Sequence, residues 1–562
     1  MFLVSAKHLS FQGQARSINN LIPVSWLAAF SMAFASSTGI VVLLGIVAVY
    51  LVNRLLRSND YDLPLPPGPK GIPILGNIND LPKPGMLECH HWLKHRELYG
   101  PISSVTVLGQ TFVILNDSQI ALELLRDRSV IHSARPYMVF SDIASRIGWK
   151  NTLAFSDYTD TFKLHRKNIA NVAGSSVSLK VFNRVQEEEA AHFLLNLLDS
   201  PDNLFDHIKK EAGAVILKIT YGYTPNAHGK DPFIDMAGKT MHEFAEATVP
   251  GKWAVDIMPF LKYVPNWMPG TGFKSTARQM AAQLKQTTEQ PYEFVKQQMR
   301  EKKHKTSFLS QAIEEIGSDP ETERIHKWSA SSMYLGGADT TVSSLMTFFL
   351  AMTLFPEVQK KAQEELDRVI GGSRLPVSAD REKLPYIEAV MKETHRWHPV
   401  APMALPHCST KEDVIQGYRI PKGALLLPNN WWFTHDPSVY PLPMTFLPER
   451  FLDTPVHKAE PDPRNWIFGY GRRVCPGRYV ADNAVFVTIA QTLAMFRIEK
   501  LVEGGRTVEP ELRFEPGVVS HPVPYRTSIK PRSTKHEQLI RAAEKDYPWE
   551  DSDAKALKTV KW

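Results

Sequence analysis

Cysteine is nearly missing from this chain. Cys89, Cys408 and Cys475 are the three among 562 residues, too few for a disulfide framework and in keeping with a reducing, cytosol-facing compartment. No stretch recurs with a period of roughly 20–50 residues, which argues against a solenoid. Charge of one sign is lacking as well. The formal net charge is +6, modest for this length, and no basic run is dense enough to suggest nucleic acid. An acidic protein or a membrane surface is the partner that balance favours, and only weakly. A G-x-G-x-x-G fingerprint and a flavin module are also absent, so the chain carries no recognisable dinucleotide site of its own.

The longest absence is of charge near the N-terminus. From Ser17 to Asn53 no side chain is charged, and Gly39 to Val52 is unbroken apolar sequence. About 20 apolar residues span a bilayer core, so a transmembrane helix is expected over about 24–52, within an anchor segment 1–57 closed by Arg54 and Arg57. A cleaved signal peptide would have a shorter apolar core and a small-residue cleavage site, whereas Asn-Arg-Leu-Leu-Arg follows here. A buried core helix is the other alternative. Lys7 and Arg16 balance Arg54 and Arg57, so charge does not set the orientation.

Proline, by contrast, is concentrated where the anchor ends. Residues 63–73 read Leu-Pro-Leu-Pro-Pro-Gly-Pro-Lys-Gly-Ile-Pro; fixed φ and missing donors make this a stiff spacer, neither helix nor central strand. Alternating apolar residues from Pro101 to Leu115, with a turn at Leu108 to Gln110, predict a hairpin. Helical spacing then dominates over 119–127, 161–172, 177–199, 204–221, 273–303, 328–355, 385–397 and 478–497. The fold class expected is mainly α with small β-sheets.

Phe468 to Gly477 reads Phe-Gly-Tyr-Gly-Arg-Arg-Val-Cys-Pro-Gly. Two glycines that bend sharply, then a cysteine just ahead of an apolar periodic run, place a thiol at a helix N-terminus. The helix dipole and the free N–H groups of the first turn favour its anion. Such a thiolate serves as nucleophile, redox thiol or metal ligand; the bland alternative, an inert buried cysteine, leaves Gly469, Gly471 and Arg473 unexplained. In Gly336-Gly-Ala-Asp-Thr-Thr the long helix 328–355 tolerates poor helix formers. The reading is a local opening, where a Thr hydroxyl competes for the i−4 carbonyl and where π-bulge-like distortion is common; a helix-packing glycine pair is the alternative. Glu393 and Arg396, three apart on 385–397, share a helix face, and Pro448-Glu-Arg-Phe451 supplies Arg450.

Phe468, Gly471, Arg473, Cys475 and Gly477 resemble the haem-binding loop of the cytochrome P-450 superfamily, the haem-thiolate monooxygenases. Proline hinge, Asp-Thr helix, Glu-x-x-Arg, Pro-Glu-Arg-Phe and thiolate loop follow in matching order over roughly residues 63–532. The resemblance implies the cytochrome P-450 fold for a catalytic domain of 58–532, preceded by the transmembrane helix and followed by a charged tail, 533–562, without a functional account. It implies haem b, with Cys475 as axial iron ligand, Arg166, His407, Arg473 and Phe468 in the cofactor site, and Glu393, Arg396 and Arg450 as a structural cluster. Asp339 would help to deliver protons and Thr340 would hold the water or hydroperoxide. The family carries Trp-x-x-x-Arg where this chain has Phe162 and Arg166, so no indole N–H is available at 162.

The reaction implied is insertion of one oxygen atom from O2 into a small hydrophobic substrate, a terpenoid or polyketide intermediate in the manner of fungal microsomal members. Electrons would come from NADPH through a separate reductase, with cytochrome b5 as a possible second donor, and Arg464, Arg472, Arg478, Lys163 and Lys167 would suit docking of an acidic partner. The expected place is the endoplasmic reticulum membrane, single-pass, with the catalytic domain in the cytosol. A desaturase, a multistep oxidase, a xenobiotic hydroxylase and, from another class, a non-catalytic haem-binding protein are the other readings.

Overall fold

The computed structural model describes residues 63–562 apart from 84, 141–147, 175, 250–251 and 316–318, together with Val41, Gly45 and Val49 upstream. Apart from those three, the expected span 24–52 and the anchor 1–57 lie outside the described residues. Among the described residues no single helix is long and apolar enough to cross a membrane. The chain divides between Pro64 and Leu65, and the unit Leu65–Trp562 carries the helices and sheets that follow.

The axis of this unit is the central helix Pro320–Leu354, 35 residues long. Asp319 caps it by accepting from the Thr322 N–H, and Pro320 sits where a missing N–H costs nothing. A helix apolar on every side belongs in a core, and the stretch from Leu345 to Met352 is almost wholly buried. Against it pack the helices Asp160–Ala173, Leu204–Tyr221, Pro232–Thr248, Gly272–Arg300 and Arg478–Met495. The expectation of a mainly helical fold is met, and the sheets are small.

The largest sheet has four strands in the order Ile102–Val107, Gln110–Leu115, Leu425–Pro428 and His407–Cys408. The first two form the expected hairpin, Ile102 facing Leu115 and Val107 facing Gln110. Its two-residue turn needs left-handed backbone, and Leu108 and Gly109 have φ of 48° and 87°. The later half of the proline segment is not a free spacer: Ser104 donates through N and Oγ to the carbonyls of Pro67 and Pro66 at 2.8 and 2.6 Å. Gly68 lies so close that an added Cβ would stand 1.9 Å from the Ser104 carbonyl oxygen.

Residues 533–562 are built into the same unit. Thr534–Asp546 is helical and buries Ile540 and Ala543 in the main core. Beyond it the Trp549 ring stacks on His192 at 3.8 Å, Glu550 takes a hydrogen bond from Lys305 at 2.8 Å, and Leu557 and Val560 are buried beside Tyr223 and Phe294. Charge density at the surface of this segment hides an apolar underside.

One buried acid lies between two of the packed helices. Glu211 on Leu204–Tyr221 accepts from the Thr488 hydroxyl on Arg478–Met495, and its other oxygen has no partner. Burial pushes its carboxyl up to about 8 and the nearby Glu189 adds to this, against the Thr488 bond. Between the ordinary 4.5 and about 8 the unfolded chain has released a proton that the folded chain keeps, so stability falls as pH rises through that window. Glu211→Gln is expected to stabilise the protein by roughly 2–3 kcal/mol at the alkaline end of the window and by little below it, read from denaturant unfolding at both pH values.

Candidate active site

Cys475 closes a loop that its sequence shapes closely. Gly469 and Gly471 take φ of 80° and 48°, Gly471–Arg473 makes one 3-10 turn, and the Cys475 N–H donates to the Phe468 carbonyl at 2.7 Å. Gly477 caps the helix Arg478–Met495, and its N–H bonds the sulfur. A Cβ at Gly471 would stand 2.6 Å from the Leu125 carbonyl oxygen and 3.0 Å from the Arg126 Cα. Backbone cannot yield as a side chain does, and the left-handed φ adds strain, so Gly471→Ala should cost roughly 2–4 kcal/mol in thermal unfolding.

The sequence expectation that this position favours the thiolate is corrected by the net balance. Burial pushes the Cys475 thiol up, and the Gly477 N–H, Arg166 and Arg478, which pull it down, do not offset that. A cation brought against the sulfur would favour its anion.

Beside the loop, guanidinium groups converge. Arg473 Nε donates to the Ser133 carbonyl at 2.7 Å, while both its Nη atoms are buried without partners among the described residues. Its guanidinium carbon lies 4.0 Å above the Phe162 ring, with Arg166 on the same ring at 5.9 Å. Arg166 itself donates to the Val474 carbonyl at 2.7 Å. Arg135 donates to the carbonyls of Ala154, Leu405 and Pro406. Burial, then Arg473, brings Arg135 down to about 9; burial brings Arg473 down to about 10, Arg166 adding to this and Asp157 opposing it. Among the described residues no carboxylate bonds these side chains, so unused N–H donors and like charges meet in a buried place. That is the donor set for a cofactor that brings its own carboxylates, and haem, with two, fits it. Arg135 was not singled out from sequence, since Ser-Ala-Arg-Pro in a loop gives no periodic or spacing signal.

His407 stands in the same region with a different character. Its Nδ1 faces the His132 carbonyl at 2.7 Å, so that nitrogen is the donor. Burial, reinforced by Arg135, holds the ring well below its ordinary value and neutral. Nε2 therefore offers a lone pair, and becomes a donor only if an arriving anion raises the ring.

On the central helix, the expected opening is made of side chains. The helix runs without a break through Gly336 to Thr341, so the π-bulge-like distortion does not occur there. Thr340 Oγ1 donates to the Gly336 carbonyl at 2.8 Å, four residues back. The two glycines divide their work. Among the described residues a Cβ at Gly336 would meet nothing within 4 Å, whereas one at Gly337 would stand 2.7 Å from Ile216 Cγ1; Gly337 lets two helices approach and Gly336 leaves space. Asp339 Oδ1 lies 3.1 Å from His521 Nε2.

Two ion networks brace the loop from behind. Arg396 grips Glu393 with Nε and Nη2 at 2.7 and 2.8 Å, Arg450 Nε joins at 3.3 Å, and neither Glu393 nor Arg396 is exposed at all. Arg450 continues to Glu460 at 2.7 Å. Arg464, expected to be a docking charge, is instead held by Asp462, Asp482 and Glu388. Phe468 meets the His395 ring edge-on at 5.9 Å.

The chain is also similar to known proteins over most of its length. Residues 66–529 match the family described as cytochrome P-450. A cytochrome P-450 monooxygenase of Aspergillus oryzae is 44% identical over 511 residues, covering 90% of this chain and 96% of that protein. One from Ampulloclitocybe clavipes is 44% identical over 520 residues, 92% and 95% of the two chains. O-methylsterigmatocystin oxidoreductase of Aspergillus flavus is 40% identical over 511 residues, 91% and 96%. A thiol loop, a carboxylate-seeking arginine set and this extent of likeness converge on one conclusion: the chain belongs to the cytochrome P-450 family of monooxygenases.

Proposed function

We propose that the chain is a haem-thiolate monooxygenase that inserts one atom of O2 into a small hydrophobic substrate of fungal secondary metabolism, of the terpenoid or polyketide kind. The single observation that carries the cofactor site is the pair of buried, unpartnered Nη atoms of Arg473 beside the Cys475 loop. Cys475 would bind the haem iron, and Arg473 and Arg166, joined by Arg135, would hold the carboxylates, with Phe468 packed behind the loop. His407 would follow as a donor once a carboxylate raises it. When bound, haem supplies the one-electron and dioxygen chemistry.

The chain's own side chains supply position and protons. Thr340, whose hydroxyl is parked on the Gly336 carbonyl, can turn to hold a water in the space Gly336 leaves, and Asp339 beside it can pass a proton inward. An apolar cluster including Phe140, Trp149, Phe244 and Leu335 adjoins this point of the helix, which suits a hydrophobic substrate. The domain plan proposed is an anchor at 1–57, spanning at about 24–52, and a catalytic domain 58–532, whose part from Leu65 packs with residues 533–562 in this structure. The place proposed is the endoplasmic reticulum membrane with the domain in the cytosol. Electrons would arrive from an NADPH reductase, cytochrome b5 assisting, on a face bearing Arg472, Lys163 and Lys167; Arg478 donates to the neighbouring Tyr479 hydroxyl.

The name of the Aspergillus flavus relative, an oxidoreductase of O-methylsterigmatocystin, supports oxidation of a small organic substrate in this reading. The test is co-expression with an NADPH-dependent reductase in a host fed terpene and polyketide scaffolds, with products scored by mass. A product heavier by one oxygen and labelled from 18O2 supports the proposal; NADPH consumption without product from either class overturns the substrate assignment.

A further inference from the structure

Asp339 does not stand alone, and its partner comes from far along the chain. His521 lies in the segment after Glu515, and its Nε2 approaches Asp339 Oδ1 at 3.1 Å, with side chains 20% and 23% exposed. The segment is fixed in place. Ser520, fully buried, donates its N–H to the Val400 carbonyl at 2.9 Å and its hydroxyl to the Glu515 carbonyl at 2.7 Å. Its own carbonyl accepts from Ser343 on the central helix at 2.6 Å, and His398 Nε2 lies 3.0 Å from its hydroxyl. The Glu515 N–H donates to the His521 carbonyl at 2.8 Å. The imidazole is thus carried to the acid by rigid backbone.

Asp339 and His521 also line a cleft of about 1170 Å³, with Ala338 and Met346 from the central helix and Glu515 from the His521 segment; neither Cys475 nor Thr340 lines it. The pair therefore lines this cleft, with Thr340 the next residue after Asp339 on the central helix. Burial lowers the ring's affinity for a proton, but the bond and charge of Asp339, with Glu515 adding its charge, more than reverse this, and His521 is raised above its ordinary value. The groups that face it are Asp339 on the central helix, Glu515 on its own segment, and His398, which burial holds down to about 3 and neutral. Across the cleft stand His242 and Glu246, and Lys209 and Lys210.

We propose that His521 is the relay through which protons pass from the cleft to Asp339. The imidazolium gives its Nε2 proton to the Asp339 carboxylate and becomes neutral imidazole. The carboxylic acid passes that proton toward Thr340 and returns to carboxylate; the neutral ring, still carrying its Nδ1 hydrogen, turns so that Nε2 meets the cleft, takes a hydronium proton there and turns back as imidazolium. No electron moves and no further reactant is needed. His521 is a positioning and relay residue, since it touches no reacting atom. The proposal rests on the reading of Asp339 as the inner proton donor.

The test uses the full chain with haem and reductase. Product formation by the unaltered protein should fall as pH rises through the His521 value. His521→Gln should lower the rate by about tenfold, flatten that limb of the profile and enlarge the solvent deuterium effect. His521→Lys keeps a cation against Asp339 but holds its proton near neutrality, so it should behave like His521→Gln. Independently of turnover, histidine resonances of the labelled protein should show one midpoint, lost in His521→Gln, that moves down in Asp339→Asn. The relay is overturned if His521→Gln keeps the original profile and isotope effect, if His521→Lys restores them, or if Asp339→Asn leaves the His521 midpoint in place. Should Asp339→Asn itself leave turnover and coupling unchanged, the fault lies in the reading of Asp339, and the relay falls with it.

Discussion

Serine at position 475 is expected to abolish the absorption signature of a sulfur-ligated haem in the ferrous, carbon monoxide-treated protein, and product formation with it. The substitution is close to isosteric, so the loop should survive: the Cys475 N–H to Phe468 carbonyl bond and the Gly477 cap are made by backbone. What changes is chemistry. A thiol reaches its anion near neutrality when a cation approaches, and the Gly477 N–H, Arg166 and Arg478 already pull in that direction against burial. A hydroxyl is far too weak an acid for those same groups to ionise it, and it donates much less electron density. Unfolding midpoints of the cofactor-free proteins should agree closely. Were the signature to persist in Cys475→Ser, the assignment of this sulfur would be wrong.

Glu393→Ala is expected to destabilise the protein by about 3–5 kcal/mol, the cost of leaving buried charge uncompensated. Arg396 and Arg450 both turn to Glu393, and the Leu447 N–H donates to it at 2.7 Å, so one truncation orphans three donors. Arg396 retains the carbonyls of Thr434 and Thr445, and Arg450 retains Glu460, which holds the loss below outright unfolding. Glu393→Gln should fall between, because it keeps an acceptor but loses the charge. Denaturant unfolding of the three proteins measures the order. A cost under about 1 kcal/mol for the alanine variant would match an exposed pair and would be at odds with the full burial of Glu393 and Arg396.

Much of the fold was legible because local rules speak plainly in this chain. Leu204–Tyr221 and Pro385–Trp397 were read with their observed limits, since proline or glycine marks at least one end of each and apolar spacing fills the interior. The helices Glu88–Tyr99, Pro232–Thr248 and Pro356–Val369 were not read. In Pro356–Val369 charged residues dominate and few positions are buried, so the apolar stripe is thin. The segment 533–562 reads as a charged tail for the same reason, its buried residues being few and widely spaced.

The site divides along a similar line. Cys475, Arg473, Thr340 and Glu393 stand in contiguous motifs whose spacing is itself chemical information, so the sequence by itself determined the family, the thiol loop and the pairing of Glu393 with Arg396 one helical turn away. Tertiary structure alone decided what meets across the chain. It put His521 on Asp339 from 182 positions away, tied Arg464 into a clamp, gave Gly337 to helix packing, and left Arg473 without an anion beside Arg135. Helical period and turn chemistry act over a few residues, whereas burial, ion pairing and orphaned donors depend on which distant segments pack together, and no local pattern records that.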